Sequence, residues 1–167
     1  GSLASGASEE VTLRTYNFTG ASVFNIDAWT SSPNGQPDPN RYNDTASVKN
    51  LVAALSGVYT IGGTSPDFKS FTEAVTVLNS AGVVGPVTFK VRNGTYSEQI
   101  VIGKVTGASA TNRIIFESES GDSTKAVLSY STNNSVLDFT LSLNNAEHIS
   151  FKKLGFSRGS NYLLFKV

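Results

Sequence analysis

Cysteine and methionine are both missing from this 167-residue chain, and histidine and tryptophan occur once each. Without cysteine there is no disulfide framework and no thiolate metal site. With His148 as the only histidine, Ser-His-Asp triads and multi-histidine zinc centres are nearly excluded. Charge is scarce and balanced: 16% of residues are charged, 13 basic against 13 acidic. That leaves no electrostatic case for nucleic acid or an anionic membrane surface. No apolar run reaches transmembrane length, so no membrane insertion is expected. The phosphate-loop Lys-Ser/Thr and the spaced dinucleotide glycines are also lacking, which argues against an anion cradle at Gly62-Gly63.

What fills the composition instead is Ser, Thr, Asn and Gly, as in turn-rich extracellular β proteins. Gly1 and Ser2 match the residues left by a tag-removing protease, and residues 162–167 (YLLFKV) stop inside an apolar strand pattern. Together with the lack of Met, these ends lead us to expect a piece of a longer polypeptide.

Residues 65–102 organise the rest. Phe68, Phe71, Val75 and Leu78 lie on one helical stripe beside Ala74 and Ala81. Ser70 followed by Glu73 fits a capping box, with Ser65-Pro66 as a competing start one turn earlier, and Gly82 suits the residue after the helix. The spacing predicts a helix over about 70–81, stopped by Gly85-Pro86. Beyond Pro86 the period becomes two, with Val87, Phe89 and Val91 facing one way and Thr88, Lys90 and Arg92 the other. Asn93-Gly94 then turns the chain into a second extended stretch.

Before this unit, residues 1–10 are small and polar and are expected to be disordered. Residues 11–18, 23–29 and 45–55 alternate as strands, and a Pro/Gly/Asn loop spans 31–44. Two or three strands bury too little to stand alone, so residues 11–57 are expected to be a partial immunoglobulin-like β segment or a linker.

After the helix a repeat emerges. Phe89, Phe116 and Phe151 sit in three similar strands, 27 and 35 residues apart, and Gly94, Gly121 and Gly155 follow them at similar distances. Further short strands are expected near 99–105, 126–130, 136–143 and 161–167. This favours a β-solenoid with looped-out insertions over a meander or sandwich. The expected fold is mainly β: a right-handed parallel β-helix (solenoid) over residues 58–167 with one N-terminal capping α-helix, truncated at its C-terminal end and preceded by a few antiparallel strands.

The order helix, strand, Gly94-Thr95-Tyr96-Ser97-Glu98 resembles the N-terminal entry of the pectin lyase-like right-handed parallel β-helix family, in which an amphipathic helix plugs the open end of the coil. Residues 141–156 resemble one rung of such a coil. More narrowly, residues 59–68 with 85–91 and 98–100 look like large modular surface proteins of Bacteroidota. Those carry β-helix segments between immunoglobulin-like repeats and leave the cell by the type IX secretion route, and residues 38–45 are similar to the end of a preceding immunoglobulin-like or CARDB-like repeat. The resemblance implies a secreted or cell-surface bacterial protein, as a non-catalytic structural stalk or adhesin. Its alternative is the N-terminal part of a carbohydrate-active β-helix enzyme, lyase- or esterase-like, with the active site beyond residue 167. Carbohydrate or another surface protein is the implied partner, and the C-terminal edge strand is expected to pair with a following coil.

Candidate sites are few. Glu117 and Glu119, two apart on one strand with Asp122 beyond, would suit acid–base work or Ca²⁺, or else form a solvated outer face. Asp138 and His148 read as surface and turn residues, and Asn144 and Asn145 as suppliers of turn geometry. Asp38, Asn40, Asn43 and Asp44 concentrate oxygen donors in one loop and form a candidate Ca²⁺ site; no other cofactor is expected. Trp29, Tyr42, Tyr59 and Tyr96 would stack on a sugar if exposed in line. Asp44-Thr45-Ala46 and Asp122-Ser123-Thr124 resemble the O-glycosylation signal of exported Bacteroidota proteins, which makes Thr45 and Ser123 candidate O-linked sites. A flat Thr array of the carbohydrate- or ice-binding kind is not expected, because Ile115 and Ser150 stand where Thr88 would repeat.

Overall fold

The computed structural model describes residues 23–29, 37, 42, 45–131, 139–158 and 165–166. Among them the chain is mainly β with one helix, and most strands lie in parallel sheets. The expected strand over 11–18 lies outside the described residues, as does nearly all of the loop 31–44.

Strands β1 (Val23–Trp29) and β2 (Thr45–Val52) form an antiparallel ribbon, with Ile26 opposite Val48, Ala28 opposite Ala46 and Trp29 opposite Thr45. Asp27 accepts a hydrogen bond from the Ser47 hydroxyl at 2.6 Å and pairs with Lys49. The next strand, β3 (Leu55–Ile61), belongs to a different sheet.

The helix α1 spans Phe71–Ala81. Ser70 caps it by accepting from the Glu73 N–H at 3.1 Å, as the capping box predicts. The Glu73 carboxylate reaches one residue further back than the motif requires, to the Lys69 N–H at 2.7 Å. Gly82 ends the helix at φ 70°, where its N–H bonds the Leu78 carbonyl at 3.0 Å. The helix buries Phe71, Ala74, Val75 and Leu78.

One expectation is corrected here. Strand β4 (Val83–Val91) starts at Val83 and carries Gly85 and Pro86 inside it. Pairing with β3 steps from Leu55–Val83 to Gly57–Val87, so Pro86 falls in an irregular stretch where its missing N–H removes no ladder bond.

The remaining strands are β5 (Gly94–Ser97), β6 (Ile100–Ile102), β7 (Ile114–Ser118), β8 (Ala126–Tyr130), β9 (Leu141–Leu143), β10 (Ile149–Lys152), β11 (Gly155–Arg158) and β12 (Phe165–Lys166). They sort into three parallel sheets: sheet I in the order β10-β7-β4-β3, sheet II in the order β11-β8-β5, and sheet III in the order β12-β9-β6. Three successive chain segments thus each give one strand to each sheet in the same order. Asn93-Gly94 does not turn β4 back on itself; it is a corner that carries the chain from sheet I to sheet II.

Register follows the phenylalanines. Phe89 pairs with Phe116 and Phe116 with Phe151, while Tyr59 pairs with Phe89 one strand earlier. Phe89 and Phe116 stack at 4.6 Å between centroids, Phe116 and Phe151 at 5.3 Å. The glycine alignment fails: Gly94 lies opposite Ala126 and Gly155 opposite Val127, whereas Gly121 sits in the turn before β8. The inward side chains of all three sheets and of α1 meet in one apolar cluster that includes Ile61, Phe71, Leu78, Phe89, Ile102, Phe116, Leu128 and Leu141.

Candidate functional site

The outward face of sheet I carries the two carboxylates singled out in the sequence. Inward Phe89 and Phe116 turn their neighbours outward, so Thr60, Lys90, Glu117 and Lys152 line up across four strands. Lys90 donates to Glu117 at 2.5 Å. That bond, with the charges of Lys90, Lys152 and Lys153, holds the Glu117 carboxyl below its ordinary range. Glu119 lies just past β7 and pairs with Arg92 at 3.6 Å. Arg92 also donates to the carbonyls of Gly62, at 3.4 Å, and Thr64.

Each carboxylate is therefore paired with a cation, Lys90 on β4 or Arg92 just past it, and the two do not present free acids to one ligand. The 27-residue offset that aligns the phenylalanines also carries Lys90 to Glu117 and Arg92 to Glu119, so this pairing was legible once the register was known. Asp122 is likewise engaged: it accepts from the Thr124 hydroxyl at 2.7 Å and N–H at 2.9 Å, and these bonds lower its pKa, with help from Lys125.

The Gly-Tyr-Glu pattern sits beside the helix start, and each member has a physical task. Glu98 accepts from the Phe71 N–H at 3.2 Å, the Thr72 N–H at 2.7 Å and the Thr72 hydroxyl at 2.6 Å. It satisfies two of the donors that every helix N-terminus leaves unpaired, and its charge suits that end of the dipole. The Tyr96 hydroxyl lies 2.8 Å from the Arg92 carbonyl and 3.1 Å from the Ile61 carbonyl. Burial first, then nearby Glu98, raises its pKa. A Cβ on Gly62 would stand 2.1 Å from that hydroxyl, and Gly62 has φ 74°. At the other end of α1, the Asn79 carboxamide donates to the Val101 carbonyl at 3.0 Å and accepts from the Gly103 N–H at 3.1 Å.

The edge of β3 is closed in a similar way. Asp67 accepts from the Thr60 N–H at 2.8 Å and hydroxyl at 2.7 Å, which lowers its pKa, and the Phe68 N–H bonds the Thr60 carbonyl at 3.0 Å. The roles of Asn79 and Asp67 carry no sequence signal, since each depends on a strand brought alongside by the fold.

The other candidates are dispersed. Asp38, Asn40, Asn43, Asp44 and Asp138 lie outside the described residues, and among the described residues no group of three acidic, His or Cys side chains gathers. Thr45 is exposed at the start of β2, and Ser123 is exposed in the turn before β8. His148, at φ 59°, and Asn145, at φ 54°, shape the turn into β10. Tyr59 is buried and Tyr96 half-buried, so neither forms an open platform; Trp29 is 72% exposed and Tyr42 fully so. Thr88 pairs with Ile115 and Ile115 with Ser150, so no Thr array forms there.

Comparison with protein-family models, curated proteins and solved structures finds no match to this chain. Among the described residues, no helix is long and apolar enough to cross a membrane.

Proposed function

We propose that residues 58–167 form the first coils of a right-handed parallel β-helix that serves as a non-catalytic structural stalk or adhesin segment at a bacterial cell surface. The three-sheet strand order, repeated three times around one apolar cluster, supports the coil. Right-handed crossover is the hand that twisted parallel strands favour. Helix α1 and the Asp67–Phe68 bonds close one end, by occupying backbone groups of β6 and β3. At the other, β10, β11 and β12 have no strand on their outer sides among the described residues, and a further coil of the same geometry would pair there.

The observation that carries the non-catalytic reading is the closure of Glu117 and Glu119 by Lys90 and Arg92. Acid–base chemistry needs a carboxyl poised near the working pH, yet the environment of Glu117 lowers its pKa further. Incubation with a panel of polysaccharides should release no product above background. A reproducible hydrolase or lyase signal, abolished by Glu119→Gln, would overturn this reading and favour the carbohydrate-active alternative.

A further inference from the structure

Sheet III carries a groove on its outer face that no part of the stalk reading uses. Val101, Ser142 and Lys166 occupy matching positions on β6, β9 and β12, and with Phe139, Leu143 and Asn144 they line a cavity of about 310 Å³. That volume lies at the small end of ligand sites and fits one ring.

Three features give the groove a chemical preference. The Lys166 ammonium lies 5.8 Å from the Phe139 ring centroid and has no anionic partner among the described residues. Ser142 is only 7% exposed, yet its hydroxyl has no hydrogen-bond partner among the described residues and turns outward into the groove between inward Leu141 and Leu143. Among the described residues no acidic side chain lines the cavity, while Val101 and Phe139 supply an apolar wall. A hydroxyl that opens into the groove is free to donate, and a cation over an aromatic ring keeps its charge available.

We propose that this groove binds a single ring bearing one carboxylate, held by the Lys166 ammonium with the Ser142 hydroxyl and the Asn144 carboxamide as donors. The ring would lie against Val101 and Phe139. Such an anion arises as an aromatic acid or as a sugar acid, and the test separates the two.

The ¹⁵N-labelled 167-residue chain would be titrated with sodium benzoate, sodium glucuronate and, as a neutral control, benzyl alcohol, with sodium chloride matching ionic strength. We expect saturable shifts at the amides of Val101, Ser142, Leu143, Asn144 and Lys166 for at least one acid; which acid saturates names the source. Lys166→Gln should weaken binding about tenfold, the size of one charge-assisted hydrogen bond, and Lys166→Arg should stay within about threefold of the parent. Ser142→Ala should weaken it about threefold to tenfold. No saturable shift for either acid up to about 20 mM, a response matched by sodium chloride or benzyl alcohol, or unchanged binding in Lys166→Gln would overturn the proposal. Each of those results would leave the stalk reading standing.

Discussion

Replacing Glu98 should cost more than its position at a strand corner suggests. Its carboxylate accepts from the N–H groups of Phe71 and Thr72 and from the Thr72 hydroxyl. Glu98→Ala strips two helix donors of their acceptor and removes a charge from the positive end of α1. One hydrogen bond to a charged group is worth about 1.5–3 kcal/mol and the dipole term about 0.3–1 kcal/mol, so the expected loss is about 2–3 kcal/mol. Glu98→Gln keeps a carbonyl acceptor and gives up the charge, for about 1 kcal/mol. With a urea slope near 2 kcal/mol per molar, the alanine variant should unfold about 1 M earlier by circular dichroism, and its Tm should fall by roughly 4–10 °C. Ser70→Ala removes another cap of the same first turn, the bond to the Glu73 N–H, and its cost should couple with that of Glu98→Ala rather than add. A loss below about 0.5 kcal/mol for Glu98→Ala, or equal losses for Ala and Gln, would refute the capping role.

Phe116 is fully buried between Phe89 and Phe151, so Phe116→Ala should lose about 3–5 kcal/mol in urea melts; a loss under about 1.5 kcal/mol would contradict the stacked core. Gly62→Ala and Gly57→Ala both force alanine into positive φ, but only Gly62 meets a side chain, with its Cβ 2.1 Å from Tyr96 Oη, whereas Gly57 has nothing within 4 Å. Gly62→Ala should therefore be the worse by at least about 1 kcal/mol, and equal Tm values would remove the clash from consideration. Glu117 has a folded pKa below its ordinary 4.5, so the stability it contributes is complete above that value and fades as pH falls through the folded pKa. Glu117→Gln should flatten the fall in stability below about pH 4.5, and a parallel acid profile in the variant would tell against the Lys90 pairing.

Much of this architecture could be read from the side-chain periods. Phe71, Val75 and Leu78 announced the helix, whereas Phe68, placed on the same stripe, lies before it and bridges Ile61; Phe89, Phe116 and Phe151 marked strands that pair in register. Parallel pairing in register sets identical side chains beside one another on the same face of the sheet. The corners were harder. A two-residue period looks the same whether the next strand turns back or passes into another sheet, so Asn93-Gly94 read as a turn within one motif. Gly121 was misaligned because residues 119–125 make a longer corner than the two residues between β4 and β5. Glu117 and Glu119 drew attention as acids on one face, but their partners, Lys90 and Arg92, lie 27 residues earlier and meet them only through the pairing of β4 with β7. Glu98 stood out only through a resemblance to a motif, and its use as a helix cap came with the structure. The groove gave no sequence signal, since Val101, Ser142 and Lys166 meet only once three strands are stacked.

Native-state hydrogen exchange across a urea series would decide whether the three parallel sheets behave as one coil. In a coil each rung shares an inner wall, so the amides of β7, β8 and β9 should open together, with a free energy distinct from that of β4, β5 and β6. Opening sheet by sheet would contradict it: β6 and β9 would then exchange at one low free energy while β4 and β7 stayed protected.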